Sequence, residues 1–334
     1  MHALPDILMA MAALVDPMAA GPEIVDLREL SGRELDPLLL EETVEWQREL
    51  DWDFSRSADL VHQFADMRAL LGYALLDRGE VAGYGYSVLE EQKGLIGDIY
   101  VRPPWRHGNT EVRLFRAVLD GLVAVPNIRR VESQVMLIDP AVGKALQRER
   151  FVRVQERMLM RLDITAPPDM PAGRANRNYR IEAWNDHFHE MAAHVVALAY
   201  PDHIDSQIND QYRSVAGARR FIHNIVTFPG CGKFFRQGSF VAFDTKTDLM
   251  AGIILTSFVA DQVGHVTQLC VTPSSKGRGV GYELLREAIN SLRSNGARRV
   301  TLTVTAANTE ATRLYERCGF QDMRRFLSYV WEAY

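Results

Sequence analysis

The chain has 334 residues, 47% of them hydrophobic and 24% charged, with 38 Lys and Arg against 43 Asp and Glu for a formal net charge of -5. That length exceeds what one hydrophobic core usually sustains and predicts two domains, while the slightly acidic balance excludes the basic footprint of a nucleic-acid binder. Three cysteines, Cys231, Cys270 and Cys318, are far apart and odd in number, which reads as reduced thiols of a cytoplasmic protein.

Residues 1–22 form an N-terminal extension. Their apolar run, Ile7 to Val15, is bordered by Asp6 and Asp16 and lacks a positive flank, so it is too short to span a membrane and poor as an export signal. Leu4, Ile7, Leu8, Met11, Leu14 and Met18 follow helical spacing instead. The first domain, 23–164, reads as helices near 35–50, 57–70, 110–124 and 140–149, with strands near 24–30, 72–78, 81–90, 94–101, 129–137 and 151–163. "TAPPDMPAGRANRN", 165–178, is a linker by its Pro, Ala and Asn content. The second domain, 179–334, reads as helices near 186–200, 210–226, 280–295 and 308–317, with strands near 179–184, 234–243, 249–258, 264–271, 298–305 and 319–331. Alternation at Val300, Leu302 and Val304 marks a strand; Leu284, Leu285, Ala288, Ile289 and Leu292 mark one helix face.

The two domains repeat one another. Ala82-Gly83 and Ala251-Gly252 hold the same strand position, and each is followed by a strand ending in Val-x-Pro, "LIGDIYVRP" at 95–103 and "HVTQLCVTP" at 265–273. An offset of 169 or 170 residues recurs through both halves, the mark of a duplication. The class is α+β, two tandem domains, each a mixed, mostly antiparallel sheet flanked by helices.

The second copy carries "SSKGRGVGYELL" at 274–285, three glycines and two cations running into a helix. Glycines let a backbone approach an anion closely, and a helix start presents free N–H groups to it. The turn is not a mononucleotide P-loop, because Lys276 precedes the glycines and no Ser or Thr follows them. Gly277-Arg278-Gly279-Val280-Gly281 also lacks the spacing and the early position of a dinucleotide fingerprint. "HFHEMAAH" imitates a zinc helix, but His189 and His194 are five residues apart and off one face, so no metal is expected.

A further element lies downstream. "NTEATRLYERCGF", 308–320, opens with Asn at a strand end and closes on Gly-Phe. Taken with "LCVTPSSKGRGVGYELL", the ordered set over 269–320 resembles the acetyl-CoA-binding core of the GNAT acetyltransferase superfamily, in which tandem members with a degenerate first half occur. The resemblance implies acetyl-CoA as co-substrate, its pyrophosphate wrapped by the amides of Gly277, Arg278, Gly279, Val280, Gly281 and Tyr282. It implies pantetheine pairing along Leu269, Cys270 and Val271, and a contact from Asn308. Lys276 stands where the family usually has Gln or Arg, and meets a phosphate as a point charge rather than a planar fork. Tyr315 is implied as the acid that protonates the departing thiolate. Thr267 occupies the place where many members carry a glutamate base, leaving His265 or a water held by Thr267, Gln268 or Thr303 to accept the proton, or a substrate amine already partly neutral that needs no strong base.

In the first copy Thr110 replaces Gly281, Gly108 stands alone in a turn one residue shorter, and Asp139, Leu146 and Arg150 replace Asn308, Tyr315 and Gly319, while Phe151 keeps the place of Phe320. Leu146 keeps the apolar pattern without a hydroxyl, so packing alone does not call for the phenol of Tyr315. The expectation is an N-acetyltransferase acting on a small-molecule amine, with no nucleic-acid or membrane partner. The competing class is a non-catalytic CoA-binding sensor or partner-binding module.

Overall fold

The computed structural model describes residues 21–107, 109–146, 153–173, 178–228 and 230–333. The helix expected within 1–20, Gly108, Arg150 and Phe151, and part of the linker lie outside the described residues.

The first half runs β1 (Glu23–Asp26), α1 (Gly32–Leu50), α2 (Ser55–Asp66), β2 (Leu71–Asp77), β3 (Glu80–Glu90), β4 (Lys93–Val101), α3 (Thr110–Val123), β5 (Arg130–Gln134), α4 (Pro140–Leu146) and β6 (Arg153–Asp163). The second runs β7 (Tyr179–Ala183), α5 (His189–Ala199), the single turn α6 (Asp205–Ile208), α7 (Val215–Thr227), β8 (Lys233–Phe234), β9 (Phe240–Asp244), β10 (Met250–Ala260), β11 (Val263–Val271), α8 (Val280–Ser294), β12 (Arg299–Thr305), α9 (Thr309–Arg317) and β13 (Gln321–Glu332). Local sequence explains the helices. Glu34 reaches back to the Ser31 N–H (2.7 Å) at the start of α1, satisfying a donor that the helix leaves free. In α8, Leu284, Leu285, Ala288, Ile289 and Leu292 form the buried stripe that its spacing predicts. The strand expected over 234–243 is interrupted: a 3₁₀ turn at Arg236–Gly238 separates β8 from β9. The Phe235 ring and the Thr256 hydroxyl close on Gly238 there, where a Cβ would meet them at 2.5 and 2.6 Å.

The strands form one sheet in the order β1-β2-β3-β4-β5-β13-β6-β12-β11-β10-β9-β7, with β8 beside β10. This extends the expectation of one sheet per domain, because the closing strands are exchanged. β6, from the first half, pairs with β12, and β13, from the second, pairs with β5. Side-chain alternation accounts for it: Met158, Met160, Leu162 and Ile164 pack into the core of the second half, and Leu327 and Tyr329 into that of the first.

β11 and β12 are parallel and paired only from Val263 with Arg299 to Val266 with Leu302. Beyond that point β11 continues to Val271 and β12 to Thr305 without each other, so the sheet splits at its centre. β4 and β5 part in the same way after Ile96 and Ser133.

Candidate active site

The split between β11 and β12 opens into a cleft of about 380 Å³, a size suited to a small-molecule site. Along β11, Thr267 and Leu269 alternate with Gln268 and Cys270. Leu269 and Val271 face the core under α8 and α9; Cys270 faces the core under α5 and α7. The cleft thus has two walls, one from α8 and α9 and one from α5 to α7.

On the first wall, Lys276, Gly277, Gly279, Val280, Gly281 and Tyr282 line the opening together with Leu269, Cys270, Val271, Asn308 and Tyr315. These residues, distant in sequence, are brought together as the motif requires. Gly277 and Gly279 have φ of 71° and 83°, the left-handed region that glycine enters without strain. Gly279 is the N-cap of α8 and offers no side-chain cap, which leaves the first N–H groups of the helix facing the turn. A Cβ at Gly277 would meet nothing within 4 Å, and one at Gly281 only Val271 Cγ2 at 3.6 Å and Leu314 Cδ2 at 3.9 Å. The protein therefore does not use this space, and the open cradle fits a phosphate-bearing group. Lys276 and Arg278 are exposed, with no ion pair among the described residues, so the cradle is electropositive. Arg278 stands in the turn but not among the cleft-lining residues.

Tyr315 is buried on α9 and meets Phe320 edge-on at 5.9 Å. Burial, then the nearby Asp205, push its phenol well above the usual range, so it stays protonated. Its hydroxyl has no hydrogen-bond partner among the described residues. Asn308 caps α9, accepting from Ala311 N–H at 3.2 Å. Burial pushes the Cys270 thiol up to about 12, which leaves it an inert packing group.

The second wall holds residues that sequence reasoning missed. Tyr200 and Tyr212 stack at 4.4 Å and flank Gln268, whose amide donates to Tyr200 Oη at 2.9 Å. His203, Asp205 and Arg157 stand nearby. Asp205 accepts from Arg157 (3.1 Å) and from the Thr305 hydroxyl, and Arg157 also donates to Thr305 Oγ1 (2.8 Å). The Asp205 N–H donates to His203 Nδ1 at 3.1 Å, while the Asn308 amide approaches Nε2 at 3.3 Å. Both ring nitrogens thus face donors, and a neutral imidazole accepts at one nitrogen only, so the ring answers one of the two at a time. Burial lowers the pKa of His203, so the ring is neutral at neutral pH. "YPDHID" at 200–205 carries Tyr200, His203 and Asp205, but no periodicity or motif marks them.

His265 is not in the cleft. It is buried where β11 and β12 still pair, its Nδ1 2.9 Å from Thr301 Oγ1 and its ring edge-on to Trp52 at 5.1 Å. Burial lowers its pKa to about 4. Thr267 does line the cleft, and its hydroxyl donates to Leu255 O of β10 at 2.9 Å. Among the described residues, the carboxylates lining the cleft are Asp205, tied to Arg157, and Glu310, in the exposed first turn of α9.

The first half closes the equivalent space. Arg106, 170 residues before Lys276, donates to Val101 O (2.5 Å), pairs with Glu45 through both terminal nitrogens (2.6 and 2.7 Å), and lies over the Tyr100 ring. The end of β4 that would carry a ligand's amide groups is thus covered by the chain's own guanidinium.

Residues 207–320 match the model of the Acetyltransferase (GNAT) family. The mycothiol acetyltransferase of Thermobispora bispora is 29% identical over 257 residues, covering 74% of this chain and 78% of its own. That of Saccharopolyspora erythraea is 25% identical over 280 residues, covering 78% and 87%. Among solved structures, a tandem GNAT protein from the clavulanic acid biosynthesis pathway matches with a TM-score of 0.59 at 17% identity, covering 93% of this chain and 98% of that one, a likeness of fold.

Proposed function

The chain belongs to the GNAT superfamily of acetyltransferases, and we propose that it moves the acetyl group of acetyl-CoA to the nitrogen of a small amine. The observation that carries the proposal is the open, electropositive glycine cradle at the mouth of the β11–β12 split. It combines a helix start, two left-handed glycines and the edge of β11 that β12 leaves after Val266. The relatives named mycothiol acetyltransferase support a small-molecule acceptor. In this reading Gly277 to Tyr282 hold the pyrophosphate with Lys276 and Arg278 as counter-charges, the edge from Leu269 to Val271 orients the pantetheine, and Asn308 helps to seat it. Acetyl-CoA supplies the activated thioester; the protein supplies position, charge and a proton.

The amine attacks the thioester carbon, the developing oxyanion takes a backbone N–H of β11, and Tyr315, kept protonated by burial, delivers a proton to the departing thiolate. Of the basic groups lining the cleft, Asp205 is paired with Arg157 and His203 has donors at both ring nitrogens, which leaves Glu310, at the exposed start of α9, as the carboxylate without an ion pair among the described residues. The attacking amine enters neutral and gives its proton to water, so kcat/KM rises with pH toward the pKa of the amine itself. The stacked Tyr200 and Tyr212, with Gln268, form the wall against which the acceptor lies. The three cysteines are free thiols, which supports a reducing, cytoplasmic setting.

A calorimetric titration with acetyl-CoA, its stoichiometry fitted freely, tests the proposal. Saturable binding near one per chain, followed by thiol release with a panel of primary amines, is the expected result. Absence of binding overturns the cradle, and binding without turnover of any amine supports a CoA-binding module instead.

A further inference from the structure

The first half, though its own cradle is closed, is joined to the second by more than the exchanged strands. The connection between α1 and α2 reaches across. Asp51 pairs with Arg299 (2.5 Å) and Arg161 (3.2 Å), the Asp53 N–H donates to Val259 O (2.8 Å), and Trp52 covers His265. The second half returns the contact. Its connection between α5 and α7 lies on the ends of β3, β4 and β5, with Arg130, 169 residues before Arg299, in the equivalent place. Lys93 donates to Asp210 (2.7 Å) between Glu90 (3.2 Å) and Glu132 (3.7 Å). Glu132 accepts from the Asp210 N–H (3.1 Å) and from Arg130 Nε (2.6 Å); Arg130 donates in turn to Gln207 O (2.8 Å), and Gln211 to Glu90 (3.2 Å).

These two contacts differ in what they carry. The segment gripped by Lys93, Arg130 and Glu132 is the one that presents His203, Asp205 and Tyr212 to the cleft. It is short of regular structure, with one helical turn at α6 and a 3₁₀ turn at Asp210–Arg213, and its path is set by local turn hydrogen bonds together with side chains of the other half. The anchors from the other half are Glu90, Lys93, Arg130, Glu132 and Arg157. Lys93 is 9% exposed and is the central cation among three carboxylates. Burial alone would pull down its pKa, and Glu132, Asp210 and Glu90 more than offset that, so the ammonium persists. Removing it leaves Asp210 without its ion-pair partner and facing Glu132, whose remaining counter-charge is Arg130, so the two carboxylates are expected to move apart.

We propose that Lys93, Arg130 and Glu132 of the first half are positioning residues for the acceptor wall of the cleft, holding segment 203–213 in place across the boundary between the halves. The inference rests on the reading of the cleft given above for its chemical meaning, but the clamp is measurable without an acceptor. The degenerate half is then part of the active site's architecture, which accounts for its retention of an ordered interface after its cradle was filled by Arg106.

The experiment is hydrogen exchange of the full chain, read in peptides over 203–213 and over 276–285, for wild type, Lys93→Met, Asp210→Asn and the double variant, with an acetyl-CoA titration of each. In Lys93→Met, exchange over 203–213 is expected to speed up about tenfold while 276–285 and acetyl-CoA affinity stay within about twofold of wild type. The double variant is expected to exchange no faster than Lys93→Met, because both changes break one contact. Unchanged exchange over 203–213, or equal acceleration over 276–285, overturns the clamp, the latter by showing a general loss of stability. Failure of the wild type to bind acetyl-CoA would remove the functional reading and leave the exchange result to decide the clamp.

Discussion

Replacing Gly281 separates a residue kept for a ligand from one kept for the fold. Gly281 lies in the first turn of α8, and its φ is not left-handed. A Cβ there would touch Val271 Cγ2 at 3.6 Å and Leu314 Cδ2 at 3.9 Å, ordinary van der Waals distances. Alanine costs the protein nothing, and valine recovers part of glycine's helical penalty, about 0.4 kcal/mol from the difference between roughly 1.0 for glycine and 0.6 for valine. In a chain of this size that shifts Tm by no more than about 2 °C. The γ carbons of valine, however, project into the space assigned to the pyrophosphate. Gly281→Val should therefore melt like wild type yet bind acetyl-CoA at least about tenfold more weakly, a loss of about 1.4 kcal/mol, while Gly281→Ala keeps most of the affinity. Differential scanning fluorimetry without ligand and calorimetry with acetyl-CoA read the two quantities. Gly252→Ala is the contrasting control: its Cβ would stand 2.9 Å from Cys270 O, so it should lower Tm. Unchanged acetyl-CoA affinity in Gly281→Val would refute the cradle, and a Tm drop of several degrees would refute the argument that the space belongs to a ligand.

Tyr315→Phe should lower kcat by about tenfold or more while the Kd for acetyl-CoA stays within about twofold, measured by thiol release and calorimetry; equal kcat values would remove the phenol from the acid role. His265 should shape stability rather than rate. Its folded pKa of about 4 lies below the ordinary histidine value, so the unfolded chain binds the extra proton first, and stability present above about pH 6.5 is lost as pH falls toward 4. The shift corresponds to about 3 kcal/mol; urea midpoints at pH 7 and 4.5 should converge in His265→Gln, and an undiminished pH slope would show that the histidine is not its source. A chain cut to 165–334 should fail to fold cooperatively. It lacks β6, and with it Met158, Met160, Leu162 and Ile164, whose burial supplies about 6–12 kcal/mol, comparable to the whole stability of a domain. A sharp, reversible melt of that fragment would count against the exchanged-strand architecture.

Much of the fold was legible because hydrophobic period and motif order are local signals. The helix at 280–295 and the strands at 264–271 and 298–305 come within a residue or two of α8, β11 and β12, since each has a full apolar stripe or alternation. The exchange of β6 and β13 was not legible. The two strands are copies of one another with the same alternation, so either could complete either half by pattern alone, and the choice rests on contacts far apart in sequence. The break between β8 and β9 depends likewise on Phe235 and Thr256 closing on Gly238, a crowding that no window of sequence reports.

At the site, legibility followed whether a residue's role is carried by backbone geometry. Gly277 and Gly279 announce themselves through the left-handed φ that glycine enters without strain, Gly281 through its open Cβ side, and Asn308 because its cap is local. His203, Asp205 and Arg157 do not, because they act through one another across β6, β12 and the α5–α7 connection. His265 misled for the complementary reason: it lies on the right strand, but on the part of β11 still paired with β12, where a polar side chain meets Thr301 and Trp52 instead of solvent. The internal duplication goes further than either kind of signal. Arg106 and Lys276 occupy one template position, yet the guanidinium with Glu45 at hand folds back onto Val101, while the ammonium, with no ion pair among the described residues, stays at the rim of an open cradle. What separates a closed half from an open one is thus the presence of a charge partner on α1, and Arg106→Ala alone would uncover an edge that has neither the glycines nor the free cations to hold a phosphate.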